Sequence, residues 1–264
     1  RGAAIATVLS QCLSAGFVLY FLSKKAEYKV RLLYKEEIRT CGKDAKNIVS
    51  LGTAGFVMQL TNSLVSICCN NVLSATGGDV YVSVMTIISS VRQMIETPIW
   101  SISEGSSPVI SYNYGAKRPK KVIEAWITMS VLALIYSLIA WSVILFAPKF
   151  LIGIFSSDKS LMIDTVPAMK LYFSAFIFML FQYTGQTMFK SLNKKKQAIF
   201  FSILRKVIIV VPMTYMFPYV FHMGSNGVFM AEPVSNVIGG SLCFIVMLLT
   251  VLPELKQMNS DLSS

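Results

Sequence analysis

Long apolar stretches separated by short polar ones set the pattern of this 264-residue chain. Seven runs approach the roughly 20 residues that a helix needs to cross hydrocarbon. They cover 2–22, 48–73, 80–110, 125–146, 171–189, 197–221 and 228–252. The first, second, fourth and fifth carry no charge. The third holds Arg92, Glu96 and Glu104, the sixth Arg205 and Lys206, and the seventh Glu232. A further apolar run, 150–155, is too short to cross and is expected as an interfacial turn or short helix. Helices are the form expected, because open strands would leave backbone groups unpaired in lipid. The pattern predicts an all-α membrane protein with seven transmembrane helices.

Polar residues inside these runs are not scattered. Gln59, Asn62, Ser66 and Asn70 recur at steps of three and four, so they share one face of the second helix. Arg92, Glu96, Trp100 and Glu104 recur at every fourth position of the third, and Gln182, Gln186 and Lys190 do the same in the fifth. A charge at membrane depth costs at least about 2.5–3.5 kcal/mol, so such groups face protein or water. Two readings compete for the amide faces. They join helices for roughly 0.6 kcal/mol per bond, or they line a polar cavity. For Glu96, near the middle of its run, the functional reading is preferred.

Composition agrees with a lipid solvent. Hydrophobic residues make up 54% of the chain and charged ones 14%, with mean hydropathy +0.61. The net charge of +11 could indicate nucleic-acid binding, but nineteen of the twenty-four basic residues lie in alternate loops, just inside the start of the sixth run (Arg205 and Lys206) and in the tail. That is the positive-inside distribution, which places the odd-numbered loops and the C-terminus in the cytoplasm and argues against a nucleic-acid partner. Five cysteines without CxxC spacing and one histidine, His222, assemble no metal site and no catalytic pair. No H-E-x-x-H, G-x-S-x-G or aspartate pair indicates an enzyme, and no cofactor is implied.

The chain is expected to divide at its longest loop. Residues 1–22 read as the last helix of a preceding, missing lobe and 23–47 as a charged cytoplasmic connector. Residues 48–253 read as a six-helix lobe and 254–264 as a cytoplasmic tail.

The most specific stretch is Pro108-Val-Ile-Ser-Tyr-Asn-Tyr-Gly-Ala-Lys117. Other distinctive segments follow in order: GAAIATVLSQ at 2–11, Asn70-Asn71 with Gly77-Gly78, Gln186, Arg205 with Pro212, and GVFMAEPVS at 227–235. Together these resemble the multidrug and toxic compound extrusion (MATE) family over nearly the whole chain, from the family's sixth helix to its twelfth. Glu104 and Ser107 depart from the Gln found in many members. The resemblance implies one half of a twelve-helix antiporter that exports cationic or amphipathic small molecules, drugs among them, from a multi-pass position in the inner (plasma) membrane. It implies coupling to H+ or Na+. The second and fifth spans lack the carboxylates that one family branch uses, which tilts the choice toward protons. Substrate or cation would meet Gln59, Asn62, Asn70, Arg92, Glu96, Trp100, Glu104, Gln182 and Gln186. Pro108, Tyr112, Asn113, Tyr114 and Gly115 are expected to shape a helix end and an inner hinge. Arg205 and Lys206 are expected to snorkel toward the inner interface. The rivals are a lipid or oligosaccharide flippase of the same superfamily, with an Arg-richer cavity, and a channel or non-transporting scaffold.

Overall fold

The computed structural model describes residues 2–25, 42–156 and 158–261, and these are helical apart from short turns. The order is α1 (Gly2–Tyr20), α2 (Gly42–Gly115), α3 (Pro119–Phe146), α4 (Pro148–Phe155), α5 (Lys159–Tyr172), α6 (Phe178–Ser191), α7 (Lys195–Ile203), α8 (Val211–Tyr219), α9 (Ser225–Ser235) and α10 (Ser241–Asp261). Wider π-helical turns follow α1 (Phe21–Lys25), join α7 to α8 (Leu204–Val210) and join α9 to α10 (Asn236–Gly240). Among the described residues five helical stretches are long and apolar enough to cross a membrane: Ile5–Lys25, Gln59–Gly115, Pro119–Phe146, Lys195–Tyr219 and Ser225–Ser260.

The chain separates into two units, Arg1–Thr53 and Ala54–Ser264. In the first, α1 exposes its apolar side chains, Leu13 and Phe17 among them. Most of the expected connector, with Cys41, lies outside the described residues. The second unit contains the core and the cavity.

Two spans read from the sequence, 48–73 and 80–110, lie within the single element α2, which is broken at Gly78. There φ is 71° and ψ −170°, a conformation essentially confined to glycine. Gly77 beside it is needed for space, since a Cβ there would lie 2.7 Å from Cγ of Tyr81. The two arms of α2 contribute to two core clusters. Leu73, Val84, Ile88 and Ile99 pack with Phe173, Met169 and Phe229. Nearer the other end, Ile110, Val122 and Met129 pack with Phe189, Met247 and Leu255.

The uncharged run 171–189 is not one regular helix. Between α5 and α6 the hydrogen bonds shift to a three-residue step, as in Ser174 N–H to Leu171 O (3.2 Å) and Phe176 N–H to Phe173 O (3.1 Å). Tyr172, Phe173 and Phe176 turn inward here as an edge-to-face series. Trp141 of α3 donates its indole N–H to the Phe173 carbonyl at 3.0 Å. Apolarity predicted a single run, and the structure divides it into the end of α5, this tighter aromatic stretch and α6. The short run 150–155 falls in the helix α4, as expected.

Candidate functional site

Helix α2 supplies one wall of a cavity of about 490 Å³, and α5, α6, α7, α9 and the π-helical turn after α7 supply the rest. Period four carries Arg92, Glu96 and Trp100 onto the same face of α2, and all three line this space with Gln59 and Asn62. Gln182 and Gln186 face it from α6. Seven of the nine expected cavity residues therefore converge. Asn70 and Glu104 are not in the lining. Asn70 is exposed farther along its helix. Glu104 pairs instead with Lys190 of α6 at 2.7 Å, so the polar stripes of α2 and α6 also meet beyond the cavity.

The charge arrangement could not be read from either stripe. Arg92 holds Glu96 one turn ahead through its Nε, and donates from a terminal nitrogen to the Tyr172 hydroxyl at 2.5 Å. Its other terminal nitrogen lies 3.0 Å from Oε1 of Glu232, on α9. The same oxygen receives Lys206 Nζ at 3.3 Å and lies 3.5 Å from a guanidinium nitrogen of Arg205. Tyr183 donates to Glu96 at 3.3 Å. Arg205 also donates to the Asn236 side-chain carbonyl. Three cations from two elements thus converge on one buried carboxylate.

Local backbone makes this possible. Arg205 and Lys206 lie in the π-helical turn Leu204–Val210, where the Val211 N–H reaches back five residues to the Lys206 carbonyl. Asn236 opens the π-helical turn Asn236–Gly240. Gly239 in that turn leaves room for Arg205, because a Cβ there would lie 2.8 Å from the arginine Cγ. Such bulges often occur at functional sites, since they re-aim side chains that a regular helix would point elsewhere. The expectation that Arg205 and Lys206 snorkel to the interface is therefore corrected. They are only 5% and 7% exposed and turn inward, because Glu232 is within reach and desolvated charges require a partner.

The stretch 108–117 closes α2 away from the cavity. Asn113 bonds the Val109 carbonyl at 2.8 Å, and its own carbonyl accepts from the Arg118 N–H at 2.9 Å. Tyr114 donates to Glu254 of α10 at 2.6 Å, and Glu254 pairs with Lys194 at 2.5 Å. Gly115 is the last residue of the helix, Pro108 lies within it, and Tyr112 is exposed. These residues form a helix end tied to two neighbouring segments.

The family model described as MatE matches residues 55–216. This chain belongs to the MATE family. No curated protein sequence matches it. Several solved MATE-type structures share its fold. One is a MOP superfamily transporter from Pyrococcus furiosus Vc1, whose report describes a binding pocket of reverse polarity suggesting a different function. It has TM-score 0.84 and 21% identity, with 98% of this chain and 57% of that chain covered. Another is a multidrug resistance MATE family transporter in an outward-facing conformation, with TM-score 0.81, 21% identity and coverages of 98% and 57%. A third is a MATE structure in complex with MaL6, with TM-score 0.82, 20% identity and the same coverages. The MATE chain described here thus spans about 57% of the length of the transporters it matches. It is a multi-pass helical membrane protein, and its cavity lies entirely within the unit Ala54–Ser264.

Proposed function

We propose that residues 48–253 form one lobe of an ion-coupled exporter of amphipathic small molecules, drugs among them, and that the cavity centred on Arg92, Glu96 and Glu232 is that lobe's share of the transport pathway. In this reading 1–22 ends a partner lobe of the same protein, 23–47 is the cytoplasmic connector and 254–264 is a cytoplasmic tail at the inner membrane. The observation that supports it best is the coincidence of a MATE fold with a cavity at membrane depth whose charged groups are paired but cavity-facing. An inert bundle has little reason to carry five charges into its interior at the cost of desolvation.

The coupling mechanism follows from the pairings. Arg92 links Glu96 on its own helix to Glu232 on α9, so movement of α9 relative to α2 changes the partner of a buried cation. Admitting water or an incoming H+ or Na+ to the carboxylates in one arrangement, and excluding it in the other, couples ion entry to the opening of the pathway. Substrate need not touch these groups to be moved by their rearrangement. Reconstitution of the full-length protein in proteoliposomes tests the reading. Ethidium efflux should follow an imposed pH or Na+ gradient and collapse when the gradient is dissipated. Efflux indifferent to both gradients would reject coupling.

A second reading, a flippase of the same superfamily for lipids or oligosaccharides, is favoured by one feature: the cavity's basic residues outnumber its acidic ones. Gradient-independent scrambling of a fluorescent lipid, without ethidium efflux, would select it.

A further inference from the structure

The charged side chains lining the cavity are Arg92, Arg205 and Lys206 against Glu96 and Glu232. Paired in full, they leave one positive charge over. The excess is not at the mouth, since Arg205 and Lys206 are among the least exposed polar residues of the lobe. Among the described residues, the hydrogen bond of Lys206 is a single one to an oxygen that Arg92 and Arg205 also approach. An ammonium has three donors and Glu232 has one charge to share. An uncompensated charge at this depth is costly unless something neutralises it. A second observation points to a ligand. Oε1 of Gln182, in the same wall and 4% exposed as a residue, has no hydrogen-bond partner. Around these polar groups stand the rings of Trp100, Tyr172 and Tyr183.

We infer that this cavity seats the carboxylate of a small amphipathic organic acid against Lys206 and the two arginines, with the ligand's apolar or aromatic body along the Trp100 and tyrosine rings. The inference rests on the transport reading above and narrows its substrate class. One surplus charge matches a monoanion; a dianion would leave the cavity as unbalanced as before, with opposite sign. A bare cation is disfavoured at this wall, since it would raise the excess to two. A carboxylate bridges a guanidinium fork and an ammonium with charge-assisted bonds, and a hydroxyl or amine on the same molecule satisfies the free Gln182 oxygen.

The test compares an acid with its neutral isostere. The full-length protein in phosphatidylcholine nanodiscs is titrated calorimetrically with para-aminobenzoate and para-aminobenzamide. The acid should bind at least about tenfold more tightly. Lys206→Met removes the surplus and should abolish that preference, whereas Lys206→Arg should retain it. Equal affinities of acid and amide in the unaltered protein overturn the inference whether or not either variant folds, and so does a preference that survives in a folded Lys206→Met. The same titration in phosphatidylglycerol nanodiscs separates sources of the anion. If the lipid headgroup suppresses acid binding, the seat belongs to a lipid and the soluble-substrate assignment falls. Gradient-driven efflux of either compound, ethidium or para-aminobenzoate, from proteoliposomes made with the same purified protein reports independently on transport. Intact efflux with equal affinities removes the anion seat and leaves the exporter standing, while acid preference without efflux does the reverse.

Discussion

At the scale of single residues, Glu232 is the group on which the site depends. Three cations address one of its oxygens, and its side chain is 6% exposed. Removing that charge leaves the cations facing one another with only Glu96 between them. Glu232→Gln should therefore destabilise the lobe by about 3–5 kcal/mol, the usual cost of orphaning a buried charge. Thermal unfolding in detergent checks this, and a variant as stable as the parent would show that the three cations find compensation elsewhere. Glu96 differs. It is more accessible than Glu232 and retains a hydroxyl donor in Tyr183 when Arg92 is removed. Glu96→Gln should express and fold yet alter efflux or its dependence on pH. Normal efflux at every pH, or a stability loss that Arg92→Gln restores, would make the residue a packing element only. The sequence made Glu96 visible and left the role of Glu232 hidden for one physical reason. Arg92 and Glu96 are four apart on one helix, so periodicity places them together. Glu232 meets partners 26 and 140 positions away, Lys206 and Arg92, and no local rule pairs residues across such separations.

At the scale of elements, the apolar runs were legible because membrane helices announce themselves by length and lack of charge. Breaks and widenings were not. Gly77-Gly78 stood out as a pair, but only the backbone shows that Gly78 takes a conformation that other residues resist. Gly78→Ala should cost about 1–3 kcal/mol from backbone strain. Gly105, where a Cβ would meet nothing within 4 Å, provides a control in the same helix, and Gly105→Ala should be close to neutral or slightly stabilising. Equal melting temperatures for the two variants would refute the assignment of Gly78 as a strained joint. The start of α5 offers a different check. Asp158 caps it by accepting from the Ser160 N–H at 2.8 Å and hydroxyl at 2.7 Å, which holds its carboxyl below the ordinary range. A group whose pKa is lower folded than unfolded adds stability above its unfolded value and loses it as pH falls through the folded one. In Asp158→Asn the slope of stability against pH should flatten below about pH 4, leaving neutral behaviour nearly unchanged. An acid limb identical to the parent's would remove the cap from the account.

At the scale of the whole molecule, the distribution of basic residues makes a prediction independent of side-chain geometry. Cys41 should be unreactive to an impermeant thiol reagent added outside intact cells, and a cysteine introduced by Lys159→Cys should react. The opposite pattern inverts the topology. Because the chain spans little more than half the length of the transporters it resembles, residues 1–264 expressed alone in a drug-sensitive host should confer no resistance. Gradient-dependent efflux from that segment would show that one lobe suffices.

The π-helical turns Leu204–Val210 and Asn236–Gly240 have a consequence for how this sequence tolerates length changes. Each is, in effect, one residue more than a regular helix would use over the same rise, and a residue is worth 100° of rotation. Deleting a single residue from Leu204–Val210 would let the backbone relax into an ordinary α-helix with good hydrogen bonds throughout. It would also turn everything after it by more than a quarter circle relative to Arg205 and Lys206. Thr214, which bonds back to Val210 and faces Cys69, would swing out of the core, or else the two cations would swing into lipid. The locally smoother chain would be the worse protein. Surplus length, placed inside the helix and kept out of any loop, here acts as a phase shifter that lets one rod present apolar packing on one stretch and charge on the next.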